Sequence, residues 1–219
     1  TGWFSFTDGT ATAGDILARD LVCAWLDRAG IAHDIATAPP FTGGVDVHTA
    51  DPEAYTHVVF VCGPFERGRL ERILLERFWR CRLVGLDVTL QTPLDDWSPF
   101  DFLVERDSTR AAHPDFVFAT RQPLVPVVGV CLVEDYPAGD TATANAAIRR
   151  LLASSPAAVV DVDTRLDANR TGLRSAAEVE SVIARLDAIV TTRLHGMVLA
   201  LKNGVPAVAI DPEPGGTKI

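Results

Sequence analysis

Two short apolar runs near the end of the sequence, separated by a helix-length segment, constrain the fold most strongly. The runs at residues 188–190 and 205–210 are too short for helices and are bounded by turn residues. Between them apolar residues recur at helical spacing, and Gly204 stands where glycine commonly ends a helix. Strands that are apolar on both faces and joined by one helix are typical of parallel sheets. We therefore predict that these two strands are adjacent and parallel.

The turn that follows the first of these strands carries two chemically suggestive side chains. Ligands of parallel sheets bind beyond the carboxyl ends of the strands, and Arg193 and His195 fall there. Arginine is a permanently charged planar fork suited to carboxylates and phosphates, and imidazole exchanges protons near neutral pH. His195 would also lie in the first helical turn, where free backbone N–H groups favour anions. A structural interpretation stays open, in which Thr192 caps the helix and both side chains merely satisfy loop carbonyls.

Residues 192–211 resemble the C-terminal signature of the polysaccharide pyruvyl transferase family. That signature has an Arg-Leu-His-Gly turn, a helix, Gly-x-Pro and a strand leading to a lysine. Here the turn is residues 193–196, the Gly-x-Pro is residues 204–206, and Gly215 and Gly216 precede Lys218. Family members usually continue past this lysine. We therefore expect either that the chain is cut at Ile219 or that its second lobe is truncated.

Alternating strand and helix patterns through both halves of the sequence predict an α/β fold with mainly parallel sheets. The resemblance implies two Rossmann-like lobes, similar to the two-domain (GT-B-like) glycosyltransferase architecture. We expect an N-terminal lobe at residues 1–120 and a C-terminal lobe at 121–219, because residues 120–126 contain two prolines. The last N-terminal strand is expected at residues 115–119.

The resemblance implies transfer of a pyruvyl group from phosphoenolpyruvate to a saccharide, with a ketal formed across two hydroxyls and no further cofactor. Arginine and lysine would hold the donor's phosphate and carboxylate. His195 is the first candidate for proton transfer and Asp15 the second, although Asp15 is also a simple helix N-terminal acid. The resemblance further implies substrate-binding roles for eight residues, Gly14, Arg106, Ser108, Arg193, Gly196, Gly215, Gly216 and Lys218. Asp107 and Ser108 alternatively are ordinary helix starters.

Composition narrows the class of partner. The net charge of −9 disfavours nucleic acid, so an anionic substrate needs a local cationic pocket. The four cysteines show no metal-ligand spacing, and Cys62 and Cys131 lie in apolar runs as buried thiols. No apolar run is long enough to span a membrane, and no secretion signal opens the sequence. We expect a cytoplasmic enzyme without a metal; the sequence does not indicate its oligomeric state.

Two other functions remain open from the sequence. A nucleotide-sugar glycosyltransferase is one, because the same architecture hosts that reaction. A non-catalytic, ligand-binding member is the other, because relatives usually have Gly-Gly where this chain has Gly63 and Pro64, and proline has no N–H to donate. An NAD enzyme is disfavoured by the missing G-x-G-x-x-G fingerprint.

Overall fold

The chain is an α/β protein built from parallel sheets. The computed structural model describes residues 2–3, 11–39, 41–65, 72, 75–91, 98–134 and 141–211. The chain divides into two compact units, Thr1–Gln122 (unit 1) and Pro123–Ile219 (unit 2). All paired strands among the described residues run parallel, which confirms the predicted fold class and is consistent with a Rossmann-like fold. In the described part of the chain, no helix has the length and apolar character needed to cross a membrane.

The described residues of unit 1 form a six-stranded sheet and one long helix. The strands are β1 (Gly2–Trp3), β2 (Ile35–Ala36), β3 (His57–Val61), β4 (Pro64–Phe65), β5 (Arg82–Leu90) and β6 (Phe102–Asp107); the long helix is α1 (Ala13–Arg28), and 3-10 turns lie at Pro52–Ala54 and Phe116–Ala119. In the sheet, β3 lies between β1 and β5, β2 flanks β1, and both β4 and β6 pair with β5. Helix α1 begins at a capping box between Thr12 and Asp15.

Alternating residues of β3 bury both faces of this sheet. Val59 and Val61 pack in a cluster with Ala18 and Val22 of α1. The intervening Val58 belongs, with Phe60, Phe65 and Phe78, to a second cluster. The two-sided burial explains why the strand reads as an unbroken apolar run.

The backbone is irregular at two neighbouring places in this sheet, after β3 and within β5. Cys62 and Gly63 both have positive φ angles, of 60° and 76°, and separate β3 from β4. In the neighbouring strand Asp87 also has a positive φ, 59°, and the register of β5 against β6 shifts there. A bulge of this kind bends a strand and re-aims its side chains, and bulges are common next to functional sites.

Unit 2 contains a four-stranded sheet. Its strands lie in the order β10 (Ala207–Ala209), β9 (Ala188–Thr191), β7 (Val127–Cys131) and β8 (Ala158–Asp161). Strands β9 and β10 are parallel, with Ile189 opposite Ala207, so the predicted pairing is confirmed. One sheet face carries a cluster that includes Ile183 and Ile189, and another cluster includes Val130 and Ile148. The helices of the described residues in unit 2 are α2 (Thr141–Ala153), α3 (Ala176–Ile183) and α4 (Leu194–Lys202).

Two local predictions in unit 1 are wrong. The strand expected at residues 115–119 is a 3-10 turn, because the Asp115 carboxylate accepts a hydrogen bond from Val117 N at 2.8 Å and caps it. No helix begins at Asp107 and Ser108. Instead the Ser108 hydroxyl accepts bonds from the backbone N–H groups of Arg110 and Ala111, which turns the chain back on itself.

The middle strand β7 offers a test of the packing in unit 2. A Cβ on Gly129 would lie 2.3 Å from Leu186 Cδ1 and 3.2 Å from Ile189 Cγ1. We expect Gly129→Ala to lower the free energy of unfolding by about 1–3 kcal/mol through overpacking, measured by chemical denaturation. Gly14→Ala is the control, since its Cβ would meet nothing closer than 3.5 Å, and it should be neutral or stabilising. An unchanged denaturation midpoint in Gly129→Ala would contradict this packing.

Candidate active site

Two buried threonines fix the turn between β9 and α4. The Thr191 side chain is fully buried; its hydroxyl donates to the Cys131 carbonyl and accepts from Arg193 N, both at 2.9 Å. The Thr192 hydroxyl accepts from Val133 N at 2.7 Å. The residue at the N-cap of α4 is Arg193, without a side-chain cap, so the interpretation of Thr192 as the cap is wrong. Both hydroxyls instead tie the turn to the end of β7.

Gly196 allows α4 to approach the sheet closely. A Cβ at this position would lie 2.5 Å from the Thr191 hydroxyl and 3.2 Å from the Cys131 sulfur. Burial raises the pKa of the Cys131 thiol, which therefore packs as an uncharged group. The structure gives Gly196 a packing role, and the substrate contact implied for it remains a prediction.

Arg193 lines a polar cavity at the carboxyl ends of β7 and β8. The cavity has a volume of about 270 Å³. Arg193 Nε donates to the Leu132 carbonyl at 3.0 Å, and its Nη2 lies 3.9 Å from Asp163 Oδ1. The side chain is 22% exposed, so its guanidinium is held on one side and open on another.

Three further arginines line the same cavity, and each has a carboxylate partner. Arg149 pairs with Asp161 at 2.9 Å, and Arg170 pairs with Glu134. Arg165 pairs with Asp167 outside the cavity lining. These side chains are all substantially exposed, and exposed pairs contribute little stability. These partners therefore do not hold the arginine side chains tightly in place.

A tightly bonded loop presents two of these arginines. The buried Asp163 carboxylate accepts from Arg165 N at 3.0 Å and Arg170 N at 3.2 Å. The Asn169 amide oxygen accepts from the backbone of Thr171. Sequence analysis missed this loop, although an aspartate and an asparagine that bond to nearby backbone are its signal.

His195 and the other predicted groups of the turn are placed differently. His195 is exposed in the first turn of α4 and does not line the cavity. Its imidazole ring makes no hydrogen bond with any residue that the structure describes. Gly215, Gly216 and Lys218 lie outside the described residues. Convergence of Arg193, His195 and Lys218 on one pocket thus remains a prediction.

Part of the sequence that lines this cavity matches a known family. Residues 139–214 match the polysaccharide pyruvyl transferase family. The match covers about a third of the chain, from α2 to β10, and confirms the resemblance to that family. It supports a transferase, since the pyruvyl transferase family is a transferase family. No curated protein matches the sequence significantly.

In unit 1, the predicted pyruvyl transferase residue Arg106 is the centre of a hydrogen-bond network. Its Nε donates to Asp107 at 2.8 Å, its Nη1 to Asp115 at 2.9 Å and its Nη2 to the Thr89 hydroxyl at 2.6 Å. The neighbouring Ser108 hydroxyl is used in the turn described above. The structure thus shows both side chains in structural bonds, and their substrate contacts remain predictions.

The start of α1 carries the two other predicted residues of unit 1. Asp15 Oδ2 accepts from both the backbone N–H and the hydroxyl of Thr12, at 2.8 and 2.7 Å. Asp15 is therefore a helix-capping acid, as one interpretation predicted, and it is half-buried. A Cβ on Gly14 would make only ordinary contacts, so packing alone does not require glycine there.

Metal ligands are not clustered in the described part of the chain. No group of three or more His, Cys, Asp or Glu side chains among those residues could hold a metal ion. The four cysteines are free thiols.

The Thr191 hydroxyl is the most testable contact of the turn. Thr191→Val keeps the shape of the side chain but leaves the Cys131 carbonyl and Arg193 N without their shared partner. We expect a loss of about 1–3 kcal/mol in the free energy of unfolding, measured by urea denaturation. Thr191→Ser keeps the hydroxyl and should therefore retain most of the free energy of unfolding that Thr191→Val loses. Equal stabilities of the valine and serine variants would argue against the hydroxyl as the organising group.

Proposed function

We propose that the chain transfers a pyruvyl group from phosphoenolpyruvate to a saccharide, forming a ketal across two hydroxyls. One observation carries the proposal: the family-matched segment fixes Arg193 in an arginine-lined cavity at the carboxyl edge of its sheet. Phosphoenolpyruvate carries a phosphate and a carboxylate, and the fork of arginine binds either group with two parallel hydrogen bonds. The cavity places four arginines together on a protein whose net charge is −9, with the carboxylates of Glu134, Asp161 and Asp163 also in its lining.

His195 is proposed as a proton-transfer group and Arg193 as a donor-binding group. In the reaction the C2–O bond of the donor to phosphate breaks, and two acceptor oxygens bond to C2 as they lose their protons. One of these protons balances the proton gained by the donor's methylene carbon, and the other leaves with the inorganic phosphate. Imidazole can exchange a proton near neutral pH, whereas guanidinium cannot. His195 is exposed and its imidazole ring makes no hydrogen bond with the described residues, so the ring nitrogens are not committed to structural bonds there.

Other parts of the proposal rest on the resemblance. Lys218, Gly215 and Gly216 would complete the donor site, and no additional cofactor is needed. The two units would be the Rossmann-like lobes of a GT-B-like enzyme. The free thiols support a reducing compartment, which we propose is the cytoplasm.

A nucleotide-sugar glycosyltransferase is the second candidate, because the arginines of the same cavity also suit a diphosphate. The two candidate functions are distinguished by incubating the protein with saccharide acceptors and either phosphoenolpyruvate or a panel of nucleotide sugars. Release of inorganic phosphate with a ketal product supports the pyruvyl transferase, and release of a nucleotide supports the glycosyltransferase. Donor binding in calorimetry without any turnover would identify a non-catalytic binding protein.

Arg193→Lys tests the donor-binding role. The change keeps the positive charge but loses the planar fork and the fixed Nε bond to Leu132. We expect a raised KM for phosphoenolpyruvate with little change in the pH profile, measured by steady-state kinetics. Arg121→Lys is a matched control, because Arg121 is exposed and does not line the cavity. An unchanged KM in Arg193→Lys would remove Arg193 from the donor site.

His195→Gln tests the proton-transfer role. Glutamine can still form hydrogen bonds but cannot exchange a proton, so we expect kcat to fall about a hundred- to ten-thousand-fold. The affinity for phosphoenolpyruvate, measured by calorimetry, should stay close to that of the wild type. A near-wild-type kcat with only a raised KM would show instead that His195 binds substrate or supports the turn.

A further inference from the structure

One carboxylate in the cavity of unit 2 differs from the others because it is buried. Asp163 follows β8, lines the cavity and is 8% exposed. The other two carboxylates of the lining belong to Glu134 and Asp161, whose side chains are 40% and 58% exposed. A carboxylate is rarely buried unless it is paired and hydrogen-bonded. The partners of Asp163 therefore indicate what the burial achieves.

Its hydrogen bonds hold the backbone of two arginines in the loop after β8. Asp163 Oδ1 accepts from Arg165 N at 3.0 Å, and Oδ2 accepts from Arg170 N at 3.2 Å. Both residues, named the loop arginines here, line the cavity. One carboxylate thus fixes the two backbone positions from which these cationic side chains extend.

The same carboxylate faces the side chain of Arg193. Asp163 Oδ1 lies 3.9 Å from Arg193 Nη2, which is too long for a hydrogen bond but within the range of an ion pair. The two side chains are 11% and 22% exposed, so water screens this pair less than the exposed pairs of the cavity. Together with the Leu132 carbonyl on Nε, the carboxylate sets the direction in which the guanidinium points.

We propose, on the basis of the pyruvyl transfer proposed above, that Asp163 is the positioning residue of the donor site. It acts through the loop arginines and Arg193 rather than on the reacting atoms. Long cationic side chains lose conformational freedom when they bind a ligand, and a site that is ordered beforehand loses less. The loss of Asp163 should therefore weaken the binding of an anion, although Asp163 is itself negative.

The opposite effect of charge makes the sign of the change informative. A negative charge near an anion opposes binding, so a carboxylate that only competed for the arginines would weaken the site. The charge of Asp163 is already balanced by two backbone N–H groups and one guanidinium. We therefore expect the ordering of the arginines to outweigh the repulsion.

NMR of the full-length protein without ligand tests the positioning directly. In Asp163→Asn the amide nitrogen cannot accept, so one of the two loop N–H groups loses its acceptor. Its hydrogen exchange should become about tenfold faster or more, and the Nε–H signal of Arg193 should shift. Asp167→Asn is the control, because Asp167 bonds the Arg165 side chain outside the cavity lining. Absence of either change in Asp163→Asn would overturn the proposed role.

Two matched Asp→Asn changes in the same cavity separate position from charge. The affinity for phosphoenolpyruvate, measured by calorimetry, should fall about tenfold in Asp163→Asn. Asp161→Asn removes the same charge, but the Asp161 carboxylate bonds the exposed Arg149 side chain, so binding should strengthen. Affinity in Asp163→Asn that equals or exceeds that of the wild type would show that Asp163 is only a competing charge.

A double-mutant cycle tests whether the effect passes through Arg193. Lysine has no Nη2 group, so in an Arg193→Lys background the loss caused by Asp163→Asn should shrink to about threefold or less. Equal losses in both backgrounds would overturn the coupling. In steady-state kinetics Asp163→Asn should mainly raise KM, since Asp163 does not meet the reacting atoms.

A second variant covers the case in which Asp163→Asn does not fold. Asp163→Glu keeps the charge but moves the carboxylate by one methylene group, so it should weaken donor binding as much as the asparagine variant. Wild-type affinity in Asp163→Glu would overturn the positioning role. If the wild type binds phosphoenolpyruvate without turnover, pyruvyl transfer fails, but the affinities still decide on Asp163. If it does not bind phosphoenolpyruvate, the NMR comparison decides alone.

Discussion

The close contact of α4 with the ends of β7 and β9 is the constraint on which the cavity of unit 2 depends. The contact exists because Gly196 lacks a side chain at the point where Thr191 and Cys131 fill the space. With α4 held there, the Thr191 hydroxyl fixes the backbone of Arg193, and the Leu132 carbonyl fixes its side chain. A short run of small and polar residues thus orients a long, flexible cation, which lowers the entropy lost when an anion binds.

Sequence reasoning identified this region because several signals agreed. The apolar runs, the helical spacing and the glycine at residue 204 all favour one strand-helix-strand unit, and the structure has it with β9 and β10 paired in parallel. The segment at residues 115–119 was misassigned because its apolar composition suits a strand, whereas the Asp115 carboxylate provides a local bond that favours a turn. Amino-acid composition alone does not show whether such a local side-chain bond favours a turn over a strand.

The burial of Asp87 could not be predicted in the same way. Its burial arises from the register of β5 against β3 and β6 and from the kink after β3, and neither feature is local in sequence. The other cavity arginines were missed for a similar reason, because the loop after β8 brings Arg165 and Arg170 to the cavity of Arg193 and α2 brings Arg149 there. Sequence patterns therefore predicted the scaffold and its first charged residue, while long-range packing determined the residues around it.

Two arginines that look alike in sequence have different chemistry in the fold. Arg106 gives its nitrogens to two carboxylates and a hydroxyl, so binding an anion there would break several short bonds. Arg193 has one carbonyl at 3.0 Å and one carboxylate at 3.9 Å, so part of its fork remains open to a ligand. On this ground the proposed donor site lies at Arg193 in unit 2, while the bonds of Arg106 hold the structure of unit 1 together.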